Sequence, residues 1–124
     1  METNINILVV DDEDVMRSLF IDILQDKGYK VTAVPDGREA QDKAKETFFQ
    51  VAFIDVHMPV MNGVQTLRAI REISPNTLIV MMDSFPDSLL DQAEKAGAIT
   101  CIHKPFDIRE VIKVIEESIE GKNR

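Results

Sequence analysis

Five short apolar runs recur along the chain, and each is bounded by polar residues. They lie at Ile5 to Val10, Lys30 to Val34, Val51 to Ile54, Thr77 to Met82 and Ile99 to Ile102. The runs are rich in Val, Ile and Leu and show little polar alternation, which is typical of strands buried on both faces of a parallel sheet. The longer segments between them are then expected to be crossover helices.

Helical periodicity is clearest after the first and the last of these runs. Apolar residues from Val15 to Leu24 repeat at helical spacing, so we predict a helix over 13–27 that stops before Gly28. In the last segment the apolar residues share one face after Asp107, a good N-cap, and predict a helix over 107–120.

The three middle helices are predicted from shorter signals. Asp36 is suited to cap a helix over 37–46, and Gly63 opens a helix that ends before Ser74. The segment 86–96 has only a narrow apolar stripe, so its boundaries are poorly defined. Five strands alternating with five helices predict a single open α/β sheet, doubly wound with helices on both faces and right-handed crossovers.

Composition narrows the class of protein. The 124 residues fit one domain, predicted over 1–120, with a polar stub or linker at 121–124. No apolar run approaches the roughly 20 residues that span a bilayer, and the N-terminus does not resemble a secretory signal, so we expect a cytoplasmic protein. The net charge of −8 disfavours direct contact with nucleic acid. The single cysteine, Cys101, cannot form an internal disulfide and is interpreted as a small core residue.

Charged residues follow three of the predicted strands. Asp11 and Asp12 follow the first, Asp55 the third and Lys104 the fifth. Ligands of open α/β sheets bind outside the carboxyl ends of the strands. If the first and third strands are neighbours, the carboxylates converge, and each like-charge pair at about 4 Å costs about 4 kcal/mol at an effective dielectric constant near 20. A cation is therefore expected, and oxygen ligands favour Mg²⁺. This set predicts a phosphoryl-transfer site with Asp55 as nucleophile.

Three motifs at these strand ends resemble the receiver domain of two-component response regulators. They are Ile7 to Glu13, Asp55 to Gly63 and Lys104 to Asp107, and the resemblance covers essentially the whole chain. It implies a flavodoxin-like receiver fold with the strand order 2-1-3-4-5. It also implies a cis peptide bond between Lys104 and Pro105.

The same resemblance implies a role for each site residue. Asp55 would accept a phosphoryl group from a sensor histidine kinase or a phosphotransfer protein. Asp12 and Asp55 would bind Mg²⁺ directly, Asp11 mainly through water, and His57 through its backbone carbonyl. Lys104 would pair with Asp55 and then with the phosphoryl oxygens. A receiver catalyses only its own phosphorylation and dephosphorylation, so we do not expect a free-standing enzyme.

Two positions depart from the family's pattern. Receivers carry Thr or Ser at the end of strand four and an aromatic residue on strand five, where this chain has Asp83 and Cys101. The segment up to Lys104 is also one residue short, so Ser84 is an alternative hydroxyl donor. If Asp83 faces the phosphoryl group, its charge destabilises the phosphorylated form by about 1 kcal/mol or more. Alternatively, Asp83 turns to solvent or pairs with Lys104. We expect no chemistry from His103.

These observations leave three hypotheses. The first is a phosphorylation-controlled interaction module. The second is a degenerate receiver that acts as a constitutive protein-binding adaptor, suggested by Asp83 and Cys101. The third, an aspartate-nucleophile phosphatase, is disfavoured because His57 occupies the position of the general acid. The cognate kinase and the effector stay open, and a homodimer is possible.

Overall fold

The sheet has the predicted topology. In the computed structural model, which describes residues 4–84 and 88–122, five parallel strands lie in the order β2-β1-β3-β4-β5. The strands are β1 (Asn6–Val10), β2 (Lys30–Val34), β3 (Val51–Asp55), β4 (Leu78–Asp83) and β5 (Thr100–His103). The predicted flavodoxin-like order is therefore confirmed, and its reversal between β1 and β3 places a ligand-binding crevice at the carboxyl ends of these two strands.

Five helices alternate with the strands and cover both faces of the sheet. They are α1 (Asp14–Asp26), α2 (Gly37–Glu46), α3 (Gly63–Ile73), α4 (Ser88–Lys95) and α5 (Ile108–Lys122). Residues of α1 and α5 join one buried apolar cluster, and residues of α2, α3 and α4 join the other. The doubly wound arrangement is confirmed.

Side chains of each strand alternate between these two clusters. Ile7 and Val9 of β1 pack with α1 and α5, whereas Leu8 and Val10 pack on the opposite face. All four are fully buried. Because both faces of the sheet are covered, apolar residues occupy consecutive positions, and this explains why the strands appear as continuous apolar runs in the sequence.

Several strand boundaries differ from the prediction by one residue, and three of the strands, β1, β4 and β5, begin one residue later than predicted, at Asn6, Leu78 and Thr100. β3, β4 and β5 each continue one residue beyond the predicted end, to Asp55, Asp83 and His103. Backbone pairing extends into these three residues, so their side chains are held by the sheet rather than by loops. The predicted start of helix four at Pro86 lies outside the described residues, and α5 extends to Lys122, two residues into the predicted stub.

The start of α3 is fixed tightly against the end of β3. Asn62 and Gln65 form a reciprocal capping box, in which each side chain accepts a hydrogen bond from the backbone N–H of the other residue. A Cβ atom on Gly63 would lie 2.3 Å from the carbonyl oxygen of Asp55. Only glycine permits this approach, which positions the loop after Asp55.

In the part of the chain that the structure describes, no helix is both long enough and apolar enough to cross a membrane.

Candidate phosphoryl-transfer site

Three carboxylates converge at the carboxyl edge of β1 and β3. The two strands are paired through Val10 and Ile54, so the residues that follow each of them lie side by side. Asp11, Asp12 and Asp55 each offer a carboxylate oxygen, and these oxygens lie within 4.8 Å of one another. Asp11 and Asp55 are buried, whereas Asp12 is exposed. The structure therefore brings together the three residues that the sequence predicted, with one side open to solvent.

Lys104 enters this cluster from the end of β5. Its Nζ lies 2.7 Å from Oδ2 of Asp11, 3.1 Å from Oε1 of Glu13 and 3.5 Å from Oδ2 of Asp55. The peptide bond between Lys104 and Pro105 is cis, as the family resemblance implied. In this structure the ammonium group is therefore closer to Asp11 than to Asp55. The contact with Glu13 was missed, although Glu13 precedes α1 at the same edge.

Burial dominates the electrostatics of Asp55. It raises the pKa of the carboxyl to about 6; the charge of Lys104 acts in the opposite direction, and the charge of Asp11 adds to the rise. Burial by itself lowers the pKa of Lys104, but its hydrogen bond to Asp11 and the charges of Asp11 and Asp55 outweigh this and raise it. Lys104 therefore stays protonated at neutral pH, and Asp55 is largely ionised.

The donor set fits a hard divalent cation. The ammonium group of Lys104 contacts the carboxylates of Asp11, Glu13 and Asp55, and Asp12 adds a fourth carboxylate to the group, so negative charge is in excess among these residues. Oxygen ligands with one side open to water are what Mg²⁺ prefers, because this ion retains several water molecules. No softer ligand belongs to this group of residues.

The loop after β3 reaches back to the site. The backbone N–H of His57 donates to Oδ1 of Asp55 at 3.3 Å. The N–H of Val56 donates to the carbonyl of Met82, and the N–H of Gly63 donates to the carbonyl of Val56. These bonds hold the main chain around His57 beside the carboxylate of Asp55.

A cleft of about 420 Å³ opens beside the exposed carboxylate. It is lined by Asp12, Pro35, Asp36, Arg38, Pro59, Val60 and Met61. Asp12 belongs both to the lining of this cleft and to the group of converging carboxylates, so the cleft adjoins the acidic cluster.

Asp83 does not belong to this group of carboxylates. The residue is fully buried, so it does not turn to solvent. Its Oδ1 accepts a hydrogen bond from the thiol of Cys101 at 3.2 Å and lies 2.6 Å from Nδ1 of His103, and the described ion pairs of Lys104 do not include it. Ser84, the alternative hydroxyl donor, is exposed.

The position of Asp83 follows from strand alternation. Ile79 and Met81 of β4 pack against the α2, α3 and α4 side, so Asp83 continues that row. Val51 and Phe53 of β3 pack on the α1 and α5 side, which is the row that Asp55 continues. The two carboxylates therefore belong to opposite faces of the sheet edge.

His103 makes a contact with Asp83 that the sequence did not predict. In the β4 and β5 register it pairs with Asp83, and Cys101 lies two residues earlier on the same side of β5. Burial, a hydrogen bond to Asp83 and the charge of Asp83 raise the pKa of the Cys101 thiol to about 12. The signal in the sequence was the Cys-x-His spacing, which becomes informative only once β5 is extended to His103.

Comparisons with known proteins agree with this geometry. The family model of the response regulator receiver domain matches residues 7–116. The chain is 34% identical to the chemotaxis protein CheY of Thermotoga maritima, over 90% of this chain and 94% of that protein. It is 30% identical to the transcriptional regulatory protein ZraR of Escherichia coli over 94% of its length, but spans only 26% of ZraR. A CheY-like receiver domain protein from Methanospirillum hungatei superposes with a TM-score of 0.93 at 25% identity, covering 98% of both chains.

Proposed function

Because the chain belongs to the family of response regulator receiver domains, we propose that it is a phospho-acceptor switch of a two-component or phosphorelay system. Asp55 accepts the phosphoryl group from a phosphohistidine of a sensor histidine kinase or a phosphotransfer protein. The observation that carries the proposal is the meeting of Asp11, Asp12, Asp55 and Lys104 at one sheet edge. No single strand supplies this set, and a turn preference does not explain it.

In the transfer step a carboxylate oxygen of Asp55 attacks phosphorus, the P–N bond to the imidazole breaks, and the released imidazole takes up a proton. The buried Asp55 is a competent nucleophile at neutral pH because its pKa of about 6 leaves it mostly ionised. The ammonium group of Lys104 lies where it can pair with the oxygens of the incoming phosphoryl group.

Mg²⁺ would be held by Asp12 and Asp55, by Asp11 mainly through water, and by the backbone carbonyl of His57. When bound, the ion supplies charge neutralisation to the phosphoryl group. The chain's own residues fix the geometry, since Lys104 retains Asp11 and the His57 N–H orients the Asp55 carboxylate. Water later cleaves the acyl phosphate, so the domain catalyses only its own modification and release.

Phosphorylation would change the affinity for a protein partner in the cytoplasm, through a whole domain proposed over 1–120. The partner, and any homodimer, are not identified by the chain. Relatives such as ZraR are much longer than this chain, so their own activity does not define the output here.

A constitutive adaptor is the second candidate, and a specific observation favours it. Asp83 and Cys101 replace the hydroxyl and aromatic residues of the family's switch, and their side chains are hydrogen-bonded to each other. In this alternative the domain binds its partner without a phosphorylation signal. The phosphorylation assay separates the two candidates, because a native chain that gains no phosphoryl group from acetyl phosphate and Mg²⁺ favours the constitutive adaptor.

The proposed function is tested with acetyl phosphate and Mg²⁺, followed by intact-mass measurement. We expect the mass of one phosphoryl group to appear on the native chain, to depend on Mg²⁺ and to be absent from Asp55→Asn. Asp22→Asn, which changes an exposed aspartate of α1, is the matched control and should be phosphorylated normally. A native chain that gains no mass, or an Asp55→Asn variant that does, contradicts the proposal.

A further inference from the structure

We infer that Asp83, Cys101 and His103 form a second metal site, separate from the acidic cluster, that binds a transition-metal dication such as Zn²⁺. Each of these residues offers one ligand atom, and the three atoms lie within 4.8 Å of one another. They come from the paired ends of β4 and β5 and share one side of the sheet. The proposed phosphoryl-transfer mechanism uses none of the three.

The ligand types select the metal. A carboxylate oxygen, a thiolate sulfur and an imidazole nitrogen are the side-chain donors of zinc sites, and three protein ligands with an open fourth position describe a site that also binds water. The sulfur discriminates against Mg²⁺, which takes oxygen ligands. The two metal sites of this small domain would therefore select different ions.

An unpaired buried oxygen of Asp83 is consistent with the binding of a cation at this site. Asp83 is fully buried, and its Oδ1 is bonded by Cys101 and His103. Its Oδ2 is also buried, yet it has no hydrogen-bond partner within residues 4–84 and 88–122. A buried carboxylate oxygen without a donor is destabilising, and coordination of a cation by this carboxylate would compensate for it.

The backbone preorganises the three ligands and leaves them accessible. The register places Asp83 opposite His103 and Met81 opposite Cys101, and the N–H of Lys104 donates to the carbonyl of Asp83 at 2.6 Å. The side chain of Asp83 is fully buried, Cys101 is half-buried, and the side chain of His103 is 67% exposed. A hydrated ion can thus reach the site from solvent without unfolding the sheet.

Binding exchanges protons for the metal. In the metal-free state the Cys101 thiol donates to Asp83. On binding, a metal–sulfur bond forms, the S–H bond breaks, and its proton passes to solvent, while His103 binds through an unprotonated ring nitrogen. No oxidant or further reactant is required.

Cobalt spectroscopy of the whole chain provides the test. Cys101 is the only cysteine, so a thiolate-to-Co²⁺ charge-transfer band reports this site alone. Titration with Co²⁺ in excess Mg²⁺ and a reductant should give the band at one equivalent, and Zn²⁺ should then displace Co²⁺ and abolish the band. Binding of Co²⁺ without a charge-transfer band overturns the inference, as does an absence of binding.

Variants identify the ligands. Cys101→Ser should remove the band, and His103→Gln should weaken Zn²⁺ binding by more than about tenfold, because even partners beyond the direct ligands contribute about 10- to 100-fold. The chain's other histidine supplies the matched control, His57→Gln, which should leave the band and the affinity unchanged. Equal affinities of the His103 variant and the native chain contradict the site. Circular dichroism confirms that each variant is folded, and Asp55→Asn should retain the band, which separates this result from the phosphorylation test.

Discussion

Ionised Asp55 is expected to destabilise the metal-free fold. The Asp55→Asn variant should therefore have a higher free energy of unfolding than the native chain at neutral pH. The carboxyl is buried beside Asp11, and burial raises its pKa from 3.8 to about 6. Asparagine keeps the shape and an acceptor for the His57 N–H but carries no charge. Lys104 still pairs with Asp11 and Glu13 in the variant.

The size of the effect follows from the difference in pKa. One pKa unit corresponds to about 1.36 kcal/mol, so the change from 3.8 to about 6 is worth about 3 kcal/mol at full weight. The site is open to solvent on the side of Asp12, which screens the charge, so we expect a gain of about 1 to 2 kcal/mol.

The direction in which stability changes with pH depends on whether the folded or the unfolded chain holds the proton of Asp55 more tightly. Below pH 3.8 Asp55 is protonated in both the folded and the unfolded chain, whereas above about 6 it is ionised in both. Between these values the folded chain binds the proton more tightly, so the native chain loses stability as the pH rises through this window. The advantage of the Asn variant should therefore grow from about pH 4 to about pH 6 and stay constant above it.

Urea unfolding in EDTA at several pH values measures this difference, and saturating Mg²⁺ should stabilise the native chain more than the variant. Asp22→Asn is the control, and we expect it to stay within about 0.5 kcal/mol of the native chain at every pH. A variant that is equal to or less stable than the native chain at neutral pH in EDTA would refute the reasoning.

Three further substitutions test the residues that hold the site in position. Lys104→Met should lower the free energy of unfolding in EDTA by about 2 kcal/mol, because it leaves buried carboxylates without their cation. Mg²⁺ should then stabilise the variant more than it stabilises the native chain, and urea unfolding with and without the ion measures both effects. Gly63→Ala should cost about 1 to 3 kcal/mol in the same assay and slow the phosphorylation of Asp55, because the new Cβ would lie 2.3 Å from that residue's carbonyl oxygen. Asn62→Ala should cost about 1 kcal/mol in thermal unfolding through loss of the capping box, with the phosphorylated mass still reached.

The fold was predictable because its sheet is buried on both faces. Continuous apolar runs such as Val51 to Ile54 indicate parallel strands, and the cap residues Asp36 and Asn62 fix helix starts by local bonding. The sequence predicts ends of β3, β4 and β5 that are one residue short, because a polar or charged residue normally signals the end of a strand. Here Asp55, Asp83 and His103 continue the backbone ladder.

The meeting of the acidic residues and Lys104 at one sheet edge was predictable for a related reason. Asp11, Asp55 and Lys104 each follow an apolar run, and the carboxyl ends of parallel strands meet at one edge. Distances within the cluster were not predictable, because they depend on how strands twist and side chains turn. The preference of Lys104 for Asp11 and Glu13 is such a detail.

The environment of Asp83 was not predictable from the sequence, because it depends on the register between β4 and β5. This register brings the two positions that depart from the family's pattern, Asp83 and Cys101, into contact. A carboxyl group in place of a hydroxyl adds a second oxygen to a buried position at the end of β4, and buried polar atoms need hydrogen-bond partners. The thiol of Cys101 and the imidazole of His103 both contact Oδ1 of Asp83. A phenyl ring at position 101 would offer no donor to Asp83, but the contact with His103 would still be available. The carboxyl group of Asp83 is therefore compatible with the fold because both Cys101 and His103 lie within reach of it.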